Sequence, residues 1–232
     1  MCEGKIINNL VHELRSPLFN IKSFLETLYE YYFQLTDSQI LEFLEITNQE
    51  TVRLLKLSSS SLELSKFTSQ TSVPYSLLCI NQLIKQVIKL YDITRLHKNI
   101  IFYIKTPRMF PRIVGSYDLS LQVLTNLITN SLKFTYPFGI VTVRVKIVTA
   151  LSLKSRKKYF LLRLDLIDDG IGISKKNRKV LFNRFKQVSK PIYYTEGLGL
   201  GLSIVKELME LQAKRINLIS ITGRGTCVIL NF

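Results

Sequence analysis

The feature that most constrains this chain is a run of apolar residues near its N-terminus, spaced by alternating steps of four and three. Such a seam predicts a helix that packs lengthwise against other helices. Polar residues at 36–38 then predict a turn, and a second amphipathic helix is expected over about 39–67. The seam consists of Ile7, Val11, Leu14, Leu18, Ile21, Leu25, Leu28 and Tyr32, and the second helix carries Leu41, Leu44, Val52, Leu55 and Leu62.

Two long helices joined by a short turn form a helical hairpin. A single hairpin leaves one apolar face uncovered, and pairing two copies into a four-helix bundle is the economical way to cover it. The N-terminal part is therefore predicted to form a homodimer.

The pattern changes after the second helix. The polar segment 68–74 ends in proline and predicts a linker. Beyond it, helical patterns at 81–91 and 119–134 alternate with strand-like runs, which predicts layers of helix and sheet, an α/β sandwich. The whole chain is expected to be an α+β protein with two domains, at 1–70 and 71–232. The strand-like runs are 99–105, 139–150, 159–167, 215–221 and 227–232.

Composition agrees with a folded chain. Of 232 residues, 47% are hydrophobic and 21% charged, which is typical of a globular protein. The three cysteines, Cys2, Cys79 and Cys227, lie far apart, so neither a zinc site nor a disulfide framework is indicated. No apolar run approaches the roughly 20 residues that span a bilayer, and the N-terminus does not read as a signal peptide. We expect no membrane span in this chain.

The net charge of +15 raises the alternative of a nucleic-acid-binding protein. The charge is scattered, however, and its densest group, at 154–158, lies between two strand-like runs, where a solvated hairpin loop is the simpler interpretation. The composition is also that of AT-rich codons, which adds lysine. We therefore expect no direct binding of nucleic acid.

Three motifs in the second domain suggest a ligand site, although each is weak alone. The first places Asn126, Asn130 and Lys133 on one helical face, where an amide oxygen suits Mg²⁺ and the lysine suits phosphate. Asparagine pairs are also common on solvent-exposed helix faces.

The second motif is Asp168-Asp-Gly170-Ile-Gly172, at the end of a strand. A carboxylate there can accept the exocyclic amine of adenine, while the glycines allow close approach of backbone. A simple Asp-Gly turn is an equally good interpretation.

The third motif is the alternation of Gly197, Gly199 and Gly201 before an amphipathic helix, which suits an anion. Its spacing fits a dinucleotide fold poorly. Phe182 and Phe185, between the second and third motifs, are expected in the core.

The order of these motifs after a helical hairpin bearing "HELRSP" from His12 resembles the sensor histidine kinases, over residues 7–232. The resemblance implies a dimerisation and phosphoacceptor domain, followed by the ATP-binding fold shared by gyrase, Hsp90, histidine kinases and MutL. More narrowly, the hairpin sequence is similar to cyanobacterial sensor kinases and their plastid-encoded algal relatives. That similarity implies a plastid location in an alga, or otherwise the bacterial cytoplasm.

The resemblance also implies roles for the residues of the hairpin. His12 would accept the γ-phosphoryl group of ATP, and Glu13 would polarise the imidazole and take its proton. Pro17 cannot donate to the carbonyl of Glu13, so the helix should kink or loosen there. Ser16 replaces the threonine often associated with phosphatase activity, which leaves that activity open.

In the ATP-binding domain, the resemblance implies that Asn130 ligates Mg²⁺ and that Asn126 and Lys133 lie near the phosphates. Asp168 would accept the adenine amine, and Phe134 would face the ring. Residues 186–196 would form a mobile lid. Further nucleotide-binding positions implied by the resemblance are Gly170, Gly172, Gly197, Gly199, Gly201 and, in "GRGT", Thr226.

The implied partners are a second copy of the chain and the receiver domain of a response regulator. Only 11 residues precede His12, so the chain is either a piece of a longer sensor, with a membrane tether elsewhere, or a gene reduced to its kinase module. Leu198, Asp169 and the segment 212–214 (Gln-Ala-Lys) depart from the family's usual residues. Because Leu198 and the segment 212–214 depart from the pattern, a catalytically degenerate, nucleotide-binding scaffold stays as an alternative.

Overall fold

The computed structural model describes residues 3–69, 74–107, 112–151, 158–178, 180–183 and 201–232, with backbone alone at 3–13, 56, 59–69, 150–151 and 158–159. The chain divides into two compact units, Met1–Thr71 and Ser72–Phe232. Each unit is described by itself.

The first unit is the helical hairpin that the apolar seam predicts. Helix α1 spans Glu3–Tyr31, a short 3-10 turn covers Tyr32–Gln34, and helix α2 spans Asp37–Ser69. The linker predicted at 68–74 therefore begins later, because α2 continues to Ser69. Helix α1 continues through Pro17, which is buried, so this proline does not end the helix. The kink expected there stays a prediction.

A capping box explains where α2 starts. The backbone N–H of Gln39 donates to Oγ1 of Thr36 at 3.3 Å, and the N–H of Thr36 donates to Oε1 of Gln39 at 2.9 Å. Across the hairpin, the rings of Phe24 and Phe43 lie 5.2 Å apart between centroids. Seam residues nevertheless stay exposed in the single chain, including Leu18 at 54% and Leu25 at 47%.

The second unit is an α/β sandwich, as predicted. Its elements are, in chain order, β1 (Ser76–Cys79), α3 (Ile80–Leu90), α4 (Asp92–His97), β2 (Ile101–Lys105), β3 (Arg112–Gly115), α5 (Tyr117–Phe134), β4 (Ile140–Leu151), β5 (Lys158–Asp168), α6 (Lys175–Arg178), α7 (Gly201–Leu211), β6 (Arg215–Ile221) and β7 (Gly225–Asn231). The five strand-like runs of the sequence correspond to β2, β4, β5, β6 and β7. The short strands β1 and β3 were not predicted.

Five strands form the main sheet in the order β2-β4-β5-β7-β6, with β5 at its centre. Strands β2 and β4 are parallel, and the other pairs are antiparallel. Strands β1 and β3 form a separate antiparallel pair. Alternate residues of the central strands, such as Val143, Leu164 and Leu230, are buried together with the apolar faces of α3, α5 and α7. The sheet thus has one face in the core.

Two carboxylates of β5 are buried: Asp168, on the core side of the sheet, and Asp165, on the opposite face, which is 2% exposed. Its oxygens contact Nε of Arg163 at 2.5 Å and Nζ of Lys146 at 3.3 Å. Because side chains alternate along a strand, Asp165 and Asp168 point to opposite faces of the sheet. Asp165 is therefore paired with two cations outside the core layer.

Candidate functional site

Helix α5 presents the predicted amides on one side. Asn126 and Asn130 are half-buried, while Leu127 and Ile128 between them are in the core. The side-chain amide of Asn126 donates to the carbonyl of Gln122 at 3.1 Å, which fixes its orientation. Because the apolar face of α5 packs in the core, its polar face with Asn126 and Asn130 lies at the edge of the core.

The first residue of α7 lies against this polar face. A Cβ added to Gly201 would be 3.1 Å from Nδ2 and 3.6 Å from Oδ1 of Asn130, and 3.7 Å from Oδ1 of Asn126. A glycine therefore lets the N-terminal end of α7 approach both amides closely. The structure thus brings Gly201 next to Asn126 and Asn130, from which it is separated by 75 and 71 positions along the chain.

Asp168 ends the central strand β5 in a pocket formed by backbone groups. Its Oδ1 accepts hydrogen bonds from the N–H groups of Gly170 and Thr226, both at 3.1 Å. Its Oδ2 lies 3.4 Å from the hydroxyl of Ser131. One carboxylate oxygen is therefore held by two donors, and the other keeps acceptor capacity for a ligand.

Burial raises the pKa of Asp168 from 3.8 to about 6. The hydrogen bonds from Gly170, Thr226 and Ser131 oppose this rise, and the nearby charge of Asp169 adds to it. At neutral pH the carboxylate is mainly ionised, so it can accept a hydrogen bond from a ligand amine.

The loop after Asp168 packs directly on the end of α5. The N–H of Ile171 donates to the carbonyl of Phe134 at 3.1 Å, and a Cβ on Gly170 would come within 2.2 Å of that oxygen. Gly172 has a φ of +64°, and a Cβ there would lie 1.9 Å from the carbonyl oxygen of Ile221. Both positions require glycine for physical reasons.

Two more predicted residues meet at the end of α5. Nζ of Lys133 lies 5.2 Å from the centroid of the Phe134 ring, the geometry of a cation–π contact. Phe134 is half-buried, and its carbonyl contacts the Asp168 loop. The structure therefore connects the α5 motif to the Asp168 motif through Phe134.

Other predicted positions are described in part. His12 and Glu13 lie in α1, where the structure describes the backbone alone, and Ser16 is exposed. Gly197, Gly199, Leu198, Phe185 and the predicted lid at 186–196 lie outside the described residues. Phe182 is half-buried.

Sequence reasoning missed Ser131, the hydroxyl beside Asp168. Ser131 is 4% exposed and sits on the buried side of α5, next to Asn130. A serine in the apolar stripe of a helix is the signal that could have drawn attention to it.

No group of three or more His, Cys, Asp or Glu side chains that could hold a metal occurs within the described ranges. Likewise, none of the helices in the described part of the chain is long and apolar enough to cross a membrane.

Comparisons with known families match both units. Residues 3–70 match the His Kinase A (phospho-acceptor) domain, and residues 116–232 match the histidine kinase-, DNA gyrase B- and HSP90-like ATPase family. The second match implies that the chain binds ATP.

Relatives of the chain are sensor kinases. The sensor-like histidine kinase ycf26 of Porphyra purpurea is 41% identical over 228 residues, which cover 97% of this chain and 35% of the relative. Drug sensory protein A of Synechocystis is 39% identical over 224 residues, covering 97% and 34%. The chain thus spans about a third of the length of these relatives.

Solved structures support the fold. The histidine kinase ThkA, solved in complex with the response regulator protein TrrA, superposes with a TM-score of 0.74 at 21% identity, over 99% of this chain and 61% of that chain. A helical hairpin followed by the α/β sandwich is therefore a fold that this chain shares with a solved histidine kinase. On the family matches and the identity to these relatives, the chain belongs to the sensor histidine kinases and is the catalytic core of a two-component sensor kinase.

Proposed function

We propose that this core phosphorylates itself on His12 with ATP and Mg²⁺, and then passes the phosphoryl group to an aspartate of a response regulator receiver domain. The observation that carries the proposal is the state of Asp168: a buried carboxylate whose Oδ1 is held by two N–H groups, while Oδ2 can still accept. An adenine amine is a neutral donor that fits such an oxygen.

The phosphate end of the site is assigned to Asn126, Asn130 and Lys133, together with the start of α7 and the glycines at 197, 199 and 201. Gly201 supports this assignment because it stands against both amides. The backbone N–H groups in the first turn of a helix favour anions. The nucleotide would thus extend from Asp168, past Phe134, to Asn130.

Mg²⁺ fits this set of residues. The ion takes few protein ligands and fills its shell with phosphate and water, so the amide oxygen of Asn130 can serve as a single protein ligand. The bound ion would neutralise the charge that develops on the phosphates. Gly201 lies close against the Asn130 amide, at the phosphate end of the proposed site.

For the transfer itself, we assign the nucleophile to His12 and the base to Glu13. A nitrogen of the imidazole attacks the γ-phosphorus, the bond from that phosphorus to the bridging oxygen breaks, and ADP leaves. Glu13 takes the proton from the other ring nitrogen. The match of residues 3–70 to the phosphoacceptor family supports these roles.

The assembly is proposed to be a homodimer through the hairpin of 1–70, with 71–232 as the ATP-binding domain. Exposed seam residues such as Leu18 and Leu25 support it, because a second hairpin would bury them. The receiver domain of a response regulator is the proposed second partner, which is supported by the ThkA structure, solved in complex with the response regulator protein TrrA. We place the protein in the plastid of an alga, on its similarity to the Porphyra purpurea kinase.

The structure weakens the case for the alternative function, a catalytically degenerate nucleotide-binding scaffold. Gln212 is buried, and its Oε1 accepts from the N–H of Ser116 at 3.2 Å and from the hydroxyl of Ser120 at 3.4 Å. Asp169 accepts the N–H of Ile140 at 2.9 Å through both oxygens. These departures from the family pattern have structural roles, and they remove none of the proposed ligand groups.

The test is to incubate the chain with labelled ATP and Mg²⁺, and then to treat the labelled protein with acid or alkali. A phosphoimidazole is acid-labile and alkali-stable, whereas phosphoserine behaves in the opposite way. His12→Gln should abolish the label but spare ATP binding. His97→Gln is the matched control, because His97 is the other histidine of the chain and is exposed at the end of α4.

Asn130→Ala should also abolish the label, through loss of the metal ligand, whereas Asn217→Ala on an exposed position of β6 should not. Mixing the His12 and Asn130 variants restores label if one protomer phosphorylates the other. Label that survives in His12→Gln would refute the assignment, and ATP binding without any label in the wild type would favour the scaffold.

A further inference from the structure

The C-terminal end of helix α5 is unusually well supplied with hydrogen-bond donors. The last four carbonyls of any helix lack partners within the helix. Here each of them accepts a hydrogen bond. The donors are the N–H of Thr135 to Ser131 at 2.9 Å, Nζ of Lys98 to Leu132 at 2.8 Å and to Lys133 at 3.0 Å, and the N–H of Ile171 to Phe134 at 3.1 Å.

Two of these four bonds come from one side chain, that of Lys98. It lies at the end of α4, 34 residues before Leu132 in the sequence. Its own carbonyl accepts the N–H of Phe138 at 3.0 Å, so backbone and side chain both bind the segment that ends α5. Asn99 follows with a φ of +54°, which turns the chain sharply into β2.

An ammonium group is well suited to this position. The C-terminal end of a helix carries a partial negative charge, and hydrogen bonds from a cation are stronger than those from a neutral donor. Lys98 therefore binds the last turn of α5 more firmly than water would. At the end of the same turn, the Gly170 loop contacts the carbonyl of Phe134.

We propose that Lys98 is a positioning residue for the nucleotide site, because it holds the last turn of α5 in the orientation that presents Asn130 and Phe134 to ATP. The inference rests on the proposed function. Without Lys98, two carbonyls would have to bind water and the last turn would fray. A shift of about 1 Å in this turn would move Phe134 and the adjacent Asn130 amide relative to Asp168, which would weaken the binding of a nucleotide that contacts all three.

The test compares Lys98→Met, which keeps the aliphatic stem, with Lys98→Arg, which keeps a cationic donor. Lys85→Met is the matched control, on an exposed position of α3. For each full-length variant, the dissociation constant of Mg·ATP and the KM and kcat of autophosphorylation are measured well below its melting temperature.

We expect Lys98→Met to weaken Mg·ATP binding about tenfold, equivalent to about 1.4 kcal/mol, and to raise KM similarly while kcat changes little. Lys98→Arg should restore binding, and Lys85→Met should behave as the wild type. If Lys98→Met lowers the melting temperature but binds Mg·ATP normally, Lys98 is a structural cap only and the inference is refuted.

Should Lys98→Met fail to fold, Lys98→Gln retains a neutral donor and is expected to bind Mg·ATP with an intermediate constant. Wild-type affinity in Lys98→Gln would then refute the inference. Because Mg·ATP binding is measured separately from labelling, the experiment distinguishes failure of the proposed function from failure of the Lys98 inference. A wild type that binds Mg·ATP without becoming labelled refutes the proposed transfer and still tests Lys98, whereas a wild type that does not bind Mg·ATP refutes both.

Discussion

Replacing Asp168 by asparagine should make the protein more stable and less able to bind ATP. Asparagine has nearly the same shape, and its Oδ1 can accept the same two N–H groups of Gly170 and Thr226. Its Nδ2 can donate to the hydroxyl of Ser131. The substitution therefore preserves the two hydrogen bonds to Oδ1, reverses the direction of the bond with Ser131, and removes the buried negative charge.

The magnitude follows from the pKa of Asp168, which burial raises from 3.8 to about 6. Because the folded protein binds this proton more tightly than the unfolded chain, its stability falls as the pH rises from about 4 to about 6, and then levels off. Ionised Asp168 thus costs about 3 kcal/mol above pH 7, at about 1.4 kcal/mol for each tenfold change in proton affinity. At pH 5 the cost is about half of that.

Urea unfolding of wild type and Asp168→Asn, at pH 5 and at pH 7.5 without nucleotide, measures this difference. We expect the variant to be more stable by about 1.5 kcal/mol at pH 5 and by up to about 3 kcal/mol at pH 7.5. Asp118→Asn, at an exposed position in the first turn of α5, should show no such gain. The reasoning would be refuted if the variant were no more stable than the wild type at pH 7.5, or if its gain in unfolding free energy were the same at pH 5 and pH 7.5.

The same variant should bind ATP at least about tenfold more weakly, since Nδ2 would present a donor to the adenine amine and leave that amine unpaired. The affinity of the wild type should fall as the pH drops below about 6, where Asp168 becomes protonated, and the affinity of the variant should lack this dependence. ATP itself changes protonation in this pH range. The affinities of wild type and variant are therefore compared as a ratio, in which the effect of ATP protonation cancels. A ratio that does not change between pH 5 and pH 7.5 would contradict the assignment of Asp168 to adenine.

Three other predictions concern stability, the phosphate end and assembly. Ala213→Gly should stabilise the chain by about 1 kcal/mol in urea unfolding, because Ala213 has a φ of +53° where α7 ends and glycine adopts that conformation without strain. Gly201→Ala should weaken Mg·ATP binding in calorimetry, since the new Cβ would lie 3.1 Å from Nδ2 of Asn130, and unchanged affinity would argue against this part of the site. The full chain should be dimeric in light scattering, whereas a chain that begins after Pro74 should be monomeric; a monomeric full chain at micromolar concentration would contradict the bundle.

The sequence predicts the long elements of this fold because their periodicity is long enough to be recognised. The seam of α1 repeats over about seven turns, and β4 and β5 alternate over 12 and 11 residues. Strands β1 and β3 have four residues each, too few for a period to stand out, and they exist because they pair with each other. The polar residues at 36–38 predict a start of α2 at about residue 39, and the structure places it at Asp37, where Thr36 and Gln39 form a capping box.

The candidate site was predictable where it depends on residue types in a motif and not where it depends on contacts between distant segments. Asp168, Asn130 and Gly201 belong to short patterns with a chemical meaning. Ser131 and Lys98 do not, since their importance arises only when β5 and the end of α4 pack next to α5. No local pattern shows that a lysine will reach carbonyl groups 34 residues away.

The central strand shows two ways of burying a carboxylate. On one face, Asp165 lies between the cations Arg163 and Lys146. On the other, Asp168 is surrounded by N–H and hydroxyl dipoles, and within the described residues it forms no ion pair with lysine or arginine. A built-in counter-ion there would occupy Oδ2 with a bond that the amine of a neutral purine could not displace. One carboxylate of β5 thus has its counter-ions within the sheet, whereas Asp168 keeps an oxygen free to accept from the proposed ligand.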